Sequence, residues 1–118
     1  MDLQEAIYTR RAVRDFTVEE IDDKTIRDLI DAAIQAPSAV NQQACTFSVV
    51  RDKTLVERIS REAKAYMLKT LSSGPMSHHF QQLLSDPDFD IFYHAPVLIV
   101  ISSTPDNPWA IEDCSLCG

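Results

Sequence analysis

Apolar positions recur along this chain with two different periods. Ile26, Leu29, Ile30, Ala33 and Ile34 fall at i, i+3, i+4, i+7 and i+8, which predicts a helix after Asp22 or Asp23 with one buried stripe. Pro37 is expected to end it, because the residue before a proline is pushed out of helical geometry. A shorter helix is predicted over residues 2–9, with Leu3, Ala6 and Ile7 inward and Asp2 and Glu5 at capping-box spacing. A third is predicted from Thr54 to Leu71, capped by Thr54 with Glu57 and buried along Leu55, Ile59, Ala63, Tyr66 and Met67. S-S-G-P at 72–75 should break it, and one helical turn is expected around His79 to Leu84.

Two stretches read instead as strands. T-F-S-V-V at 46–50 is β-rich with partial alternation. V-L-I-V-I at 97–101 is apolar at every position, as expected of a strand covered on both faces with neighbours on both sides. A last helix should begin after Asn107 as N-cap, with Pro108 at its first position. Helices alternating with strands imply an α/β or α+β sheet layered with helices, and the chain stops soon after its last helix begins.

Composition narrows the functional classes. The chain has 118 residues, room for one domain, and a net charge of -7. All eleven basic residues lie between positions 1 and 69, beside twelve acids; residues 70–118 carry six acids and no base. That balance argues against nucleic-acid binding and confines any side-chain anion site to the first half. The N-terminus has no signal-peptide pattern, and the longest apolar run, Ala95 to Ile101, is far shorter than a membrane span. Three cysteines in such a chain are expected to be free thiols in a cytoplasmic protein.

Against that acidity, Y-T-R-R-A-V-R-D-F at 8–16 is unusual. Arg10 and Arg14 would share a face if the first helix ran that far, and guanidinium groups hold phosphate oxygens through a planar fork. The alternative is that the arginines offset the dipole at a helix C-terminus. A second stretch, A-P-S-A-V-N-Q-Q at 36–43, offers Ser38, Asn41, Gln42 and Gln43, able to hydrogen-bond the edge of a heterocycle or simply to form a polar turn.

Taken in order, R-R-A-V-R-D-F, A-P-S-A-V-N-Q-Q, H-A-P-V-L-I-V-I at 94–101 and A-I-E-D-C-S-L at 110–116 resemble the nitroreductase family of flavin enzymes. The resemblance covers nearly all of the chain but only the first half or so of a usual member. It implies an α+β, three-layer fold with a central sheet flanked by helices, incomplete at the C-terminus, with residues 1–118 forming the N-terminal portion of an FMN-binding domain.

By the same resemblance, Arg10, Arg11 and Arg14 would bind the FMN phosphate and ribityl chain, with Ala12 standing where the family commonly has Ser. Pro37, Ser38, Ala39, Asn41 and Gln43 would reach the flavin ring, commonly from the partner subunit of a homodimer. Ala44 and Cys45 replace the family's Pro-Trp. No catalytic side chain is assigned, because the flavin carries the hydride.

The implied activity is transfer of hydride from NAD(P)H through FMN to a nitro, quinone or related small acceptor. The alternatives are a truncated, non-catalytic domain that binds flavin or a partner chain only, and a fragment that completes its sheet with another polypeptide. Cys114-x-x-Cys117 lacks the helix-N-terminal setting of a redox pair, and His78, His79 and His94 lack paired zinc spacing with those cysteines. Trp109 reads as a packing residue at a helix start.

Overall fold

The computed structural model describes residues 1–71, 74–75 and 77–118. It is an α+β chain of five helices and a two-stranded antiparallel sheet among those residues. Ser72, Ser73 and Met76 lie outside the described residues, so only the Gly74-Pro75 half of the expected helix breaker is visible, in a turn closed by Gly74 N–H to Leu71 O at 3.0 Å.

Local chemistry accounts for the helix starts. Helix α1 spans Leu3–Thr9, and the Asp2 carboxylate accepts from Glu5 N–H at 2.8 Å. Helix α2 spans Asp23–Ala33, with Asp22 accepting from Thr25 N–H at 2.7 Å. It ends before Pro37, because Gln35 and Ala36 turn their amides to carbonyls three residues back, at 3.2 and 3.1 Å, tightening the chain out of the helix. Ile26 is buried and Ile30 and Ala33 half-buried, whereas Leu29 and Ile34 remain exposed.

The α2 cap is sensitive to acid. Hydrogen bonds from the Thr25 hydroxyl and amide, with some attraction from Arg51, hold the Asp22 carboxyl below its ordinary value of 3.8. A depressed folded-state pKa gives stability that is present above 3.8 and lost as pH falls through the lower folded value. Circular dichroism during acid titration should therefore show helix loss below that value, and Asp22→Asn, whose cap does not titrate, should lack that component. An identical acid profile in Asp22→Asn would remove Asp22 as its cause.

Helix α3, Lys53–Leu71, departs further from its sequence pattern. Asp52, rather than Thr54, caps it, accepting from Leu55 N–H at 3.0 Å. Its fully buried positions are Val56, Ser60 and Lys64, while Leu55 and Tyr66 of the expected stripe are exposed. The helix packs against helix α4 and the segment after it, whose backbone lies outside any ladder and needs polar partners. Ser60 Oγ accepts from Ile91 N–H at 3.1 Å, and Lys64 Nζ donates to Asp86 O at 2.7 Å and to Phe89 O. Helix α4 covers His78–Ser85, longer than the single turn expected, with Leu84 buried.

Strand β1 is Cys45–Val50 and strand β2 is Leu98–Ser103, paired from Cys45 opposite Ser103 to Val50 opposite Leu98. The expected doubly covered strand therefore has one neighbour among the described residues, and its residues are half-buried, with Ser102 and Val100 exposed. Helix α5, Ala110–Cys117, packs on both strands. It starts two residues later than expected: Asn107 Oδ1 accepts from Trp109 N–H at 2.9 Å, a turn that keeps Pro108 and Trp109 outside the helix. Trp109 is 50% exposed, so it packs less than a core tryptophan would.

Little of this chain is sealed from solvent. Its accessible surface is 9331 Å², against roughly 6,500 Å² for a compact monomer of this mass. Its radius of gyration is 16.6 Å, against about 13.5 Å for a compact chain of this length.

Candidate functional site

Helix α1 stops at Thr9, so Arg10 and Arg14 do not share a helical face. The two roles weighed for the arginines fall on different residues. Arg11 Nη1 donates to Tyr8 O at 3.0 Å and to Arg10 O at 2.8 Å, satisfying carbonyls at the helix end. Arg10 and Arg14 are exposed, and no hydrogen bond or ion pair of either side chain occurs among the described residues. Ala12 lies exposed between them.

The other cluster is a tight loop. Ala39–Asn41 form a 3-10 turn after exposed Pro37, with Asn41 N–H to Ser38 O at 3.0 Å and Gln42 N–H to Ala39 O at 3.1 Å. Ser38 Oγ accepts from Gln43 N–H at 3.0 Å, and Gln43 Nε2 donates to Asn41 Oδ1 at 3.3 Å. Val40, Asn41 and Gln43 have φ of 46°, 54° and 52°, left-handed conformations without a glycine. Asn tolerates this region, but a β-branched valine does not, and such strain persists only where surrounding contacts over-determine it.

One such contact comes from helix α5. Asp113 is the most buried side chain described, 2% exposed. Its Oδ1 accepts from Ala39 N–H at 2.9 Å, and its Oδ2 accepts from Asn107 Nδ2, also at 2.9 Å. Asn107 Nδ2 also reaches Ser103 Oγ at 2.9 Å. Asp113 thus ties the loop to the end of β2 and the start of α5. Sequence reasoning missed this residue; in A-I-E-D-C-S-L-C it stands beside a second acid, Glu112, which is exposed, and nothing local tells the two apart.

The loop runs directly into Cys45 at the start of β1. Partial burial, and then the neighbouring thiols of Cys117 and Cys114, push the Cys45 thiol up to about 12, so it stays protonated at neutral pH. Protonated, it is a poor first nucleophile towards an oxidant.

No hydrogen bond or ion pair among the described residues joins the arginines to the loop, and α1 belongs to none of the well-packed element pairs. Two cavities of the chain are lined by none of the nine candidate residues. One, of about 480 Å³, lies between α3, α4 and the segment carrying Asp90 and His94. The other, of about 370 Å³, adjoins Phe16 but is lined by Glu19, Glu20 and Asp22, the wrong charge for a phosphate. Among the described residues, no group of three or more His, Cys, Asp or Glu is placed to hold a metal, and no helix is long and apolar enough to cross a membrane.

Helices packed beside a two-stranded antiparallel sheet place this chain in the α+β class. The chain belongs to the nitroreductase family, whose pattern matches residues 7–118. A protein of Methanothermobacter thermautotrophicus named as an NADH dehydrogenase/NAD(P)H nitroreductase is 31% identical over 123 aligned positions, covering 100% of this chain and 52% of that protein. The nitroreductase of Desulfitobacterium hafniense, solved with bound FMN, is 30% identical with a TM-score of 0.76, over 97% of this chain and 58% of that one. The Bacteroides fragilis nitroreductase, also solved with FMN, shares the fold at 24% identity and a TM-score of 0.82, over 99% and 60% of the two chains. This chain therefore spans about half the length of the Methanothermobacter relative.

Proposed function

We propose that this chain is the flavin-binding portion of an FMN-dependent oxidoreductase that takes hydride from NAD(P)H and reduces a nitro, quinone or related acceptor. The observation that carries the proposal is the pair of exposed guanidinium groups, Arg10 and Arg14, which have no internal partner among the described residues. Family membership and the FMN-bound relatives support it. The residues present fit the group. Arg10 and Arg14 would hold the phosphate through charge-assisted forks, Arg11 would fix the helix end from which they project, and Ala12 would contribute backbone only.

Ser38, Ala39, Asn41 and Gln43, entered through Pro37, would meet the ring edge with the donors and acceptors their internal bonds leave open. Because no hydrogen bond or ion pair among the described residues joins the two clusters, a homodimer in which each loop serves its partner's arginines suits them. The exposed apolar residues Leu3, Ile7, Tyr8, Val13 and Val18 would then be covered by the second copy. A fuller, three-layer sheet around β1 and β2, and a cytoplasmic setting, belong to the same reading. FMN, when bound, supplies the two-electron chemistry; the chain's own residues anchor and orient it and restrict water.

Flavin titration tests the assignment. Arg10→Ala or Arg14→Ala should each weaken FMN binding by about 1–3 kcal/mol, roughly 5- to 150-fold. Affinity unchanged in both variants would remove Arg10 and Arg14 from the phosphate site. A second reading, a non-catalytic flavin or partner binder, is favoured by Ala12, which offers no hydroxyl. It predicts FMN binding without oxidation of NAD(P)H when an acceptor is supplied, and turnover would eliminate it.

A further inference from the structure

Cys45 and a pair of cysteines far from it in sequence converge where the strained loop enters β1. Cys45 opens β1, while Cys114 and Cys117 lie one turn apart on α5. Cys45 Sγ and Cys114 Sγ stand 3.9 Å apart across 69 positions of chain, and Cys117 also bears on Cys45. All three are free and half-buried, so small solutes can reach them. Neither the proposed flavin site nor the helix caps use them.

We propose that Cys45 and Cys114 form a reversible disulfide, made when the folded chain meets a hydroperoxide, which locks β1 to α5. Bonded sulfurs lie about 2.05 Å apart, so closure asks for a movement of about 2 Å, within reach of side-chain rotation between elements already packed together. The chemistry balances in two steps. Cys114 sulfur attacks a peroxide oxygen: an S–O bond forms, the O–O bond breaks, and water or an alcohol leaves. Cys45 sulfur then attacks Cys114 sulfur: the S–S bond forms, the S–O bond breaks, and hydroxide departs with the Cys45 proton as water. Two thiols lose two electrons and the peroxide gains them.

Cys117 is the competing partner, but a bridge between Cys114 and Cys117 would close a short ring within one helix. The bridge from Cys45 closes a long loop and removes far more freedom from the unfolded chain. It would also fasten the two elements that flank the loop, next to the Asp113 tether.

The experiment oxidises the native protein with hydrogen peroxide, blocks remaining thiols by alkylation, and maps cross-linked peptides by mass spectrometry. A guanidinium-unfolded sample is treated in parallel. The expected product is a Cys45–Cys114 cross-link, reversed by dithiothreitol, formed in the native sample and lost from the unfolded one. Cys117→Ser, which keeps both partners, should form it fully, and the oxidised form should unfold roughly 10 °C higher than the reduced form. A native product linking Cys114 to Cys117, or carrying only sulfinic or sulfonic acids with Cys45 still alkylated, overturns the assignment. So does equal cross-linking in the unfolded chain.

Discussion

Replacing Asp113 with alanine is expected to destabilise the chain by about 2–4 kcal/mol, a large share of the stability of a domain this size. The substitution leaves the Ala39 N–H without its acceptor and the Asn107 amide with only Ser103, and it opens a small void at the most buried side chain described. Asp113→Asn should fall between alanine and the natural residue. One amide oxygen can serve Ala39 or Asn107, but the new NH2 must then face a donor. Urea unfolding followed through the fluorescence of Trp109, which sits at the start of the same helix, reads the total effect. Hydrogen exchange at Ala39 reads the local one, and should accelerate because the tether opposes relaxation of Val40, Asn41 and Gln43. A midpoint unchanged by Asp113→Ala would mean that the loop holds its left-handed residues without help from α5.

Lys64→Met should cost about 2–3 kcal/mol. Methionine keeps much of the length and removes the charge, so the Asp86 and Phe89 carbonyls lose their donor while the helix face stays filled. The ammonium also stands 5.9 Å from the centre of the Phe89 ring, an attraction methionine replaces only in part. Thermal unfolding measures the loss. Limited proteolysis should show earlier cleavage within residues 86–94, since that segment depends on α3 for its polar partners. A methionine variant as stable as the natural chain would show that the carbonyls find water at no net expense.

These two residues also show what the sequence could and could not reveal. Asp2, Asp22 and the β-rich run before Arg51 mark element positions to within a residue or two, because capping and strand propensity are local. The polar face of α3 was illegible for a different reason. Ser60 and Lys64 are buried because backbone groups 22 to 31 residues away need partners, and periodicity records only which side chains are apolar. Asp113 answers an amide 74 positions away. The candidate site was nameable residue by residue from its motifs, whereas the division of labour among Arg10, Arg11 and Arg14 depended on where α1 stops. The left-handed loop carries no glycine to announce it.

The surplus of accessible surface has a thermodynamic consequence. A partner that covered Leu3, Ile7, Tyr8, Val13 and Val18 would bind the folded chain and not the unfolded one, and so would enter its folding equilibrium as a ligand. The free energy of folding then contains a logarithm of concentration. If a second copy is the cover, no single melting temperature describes this protein: dilution itself acts as a denaturant, and assembly and folding become one reaction.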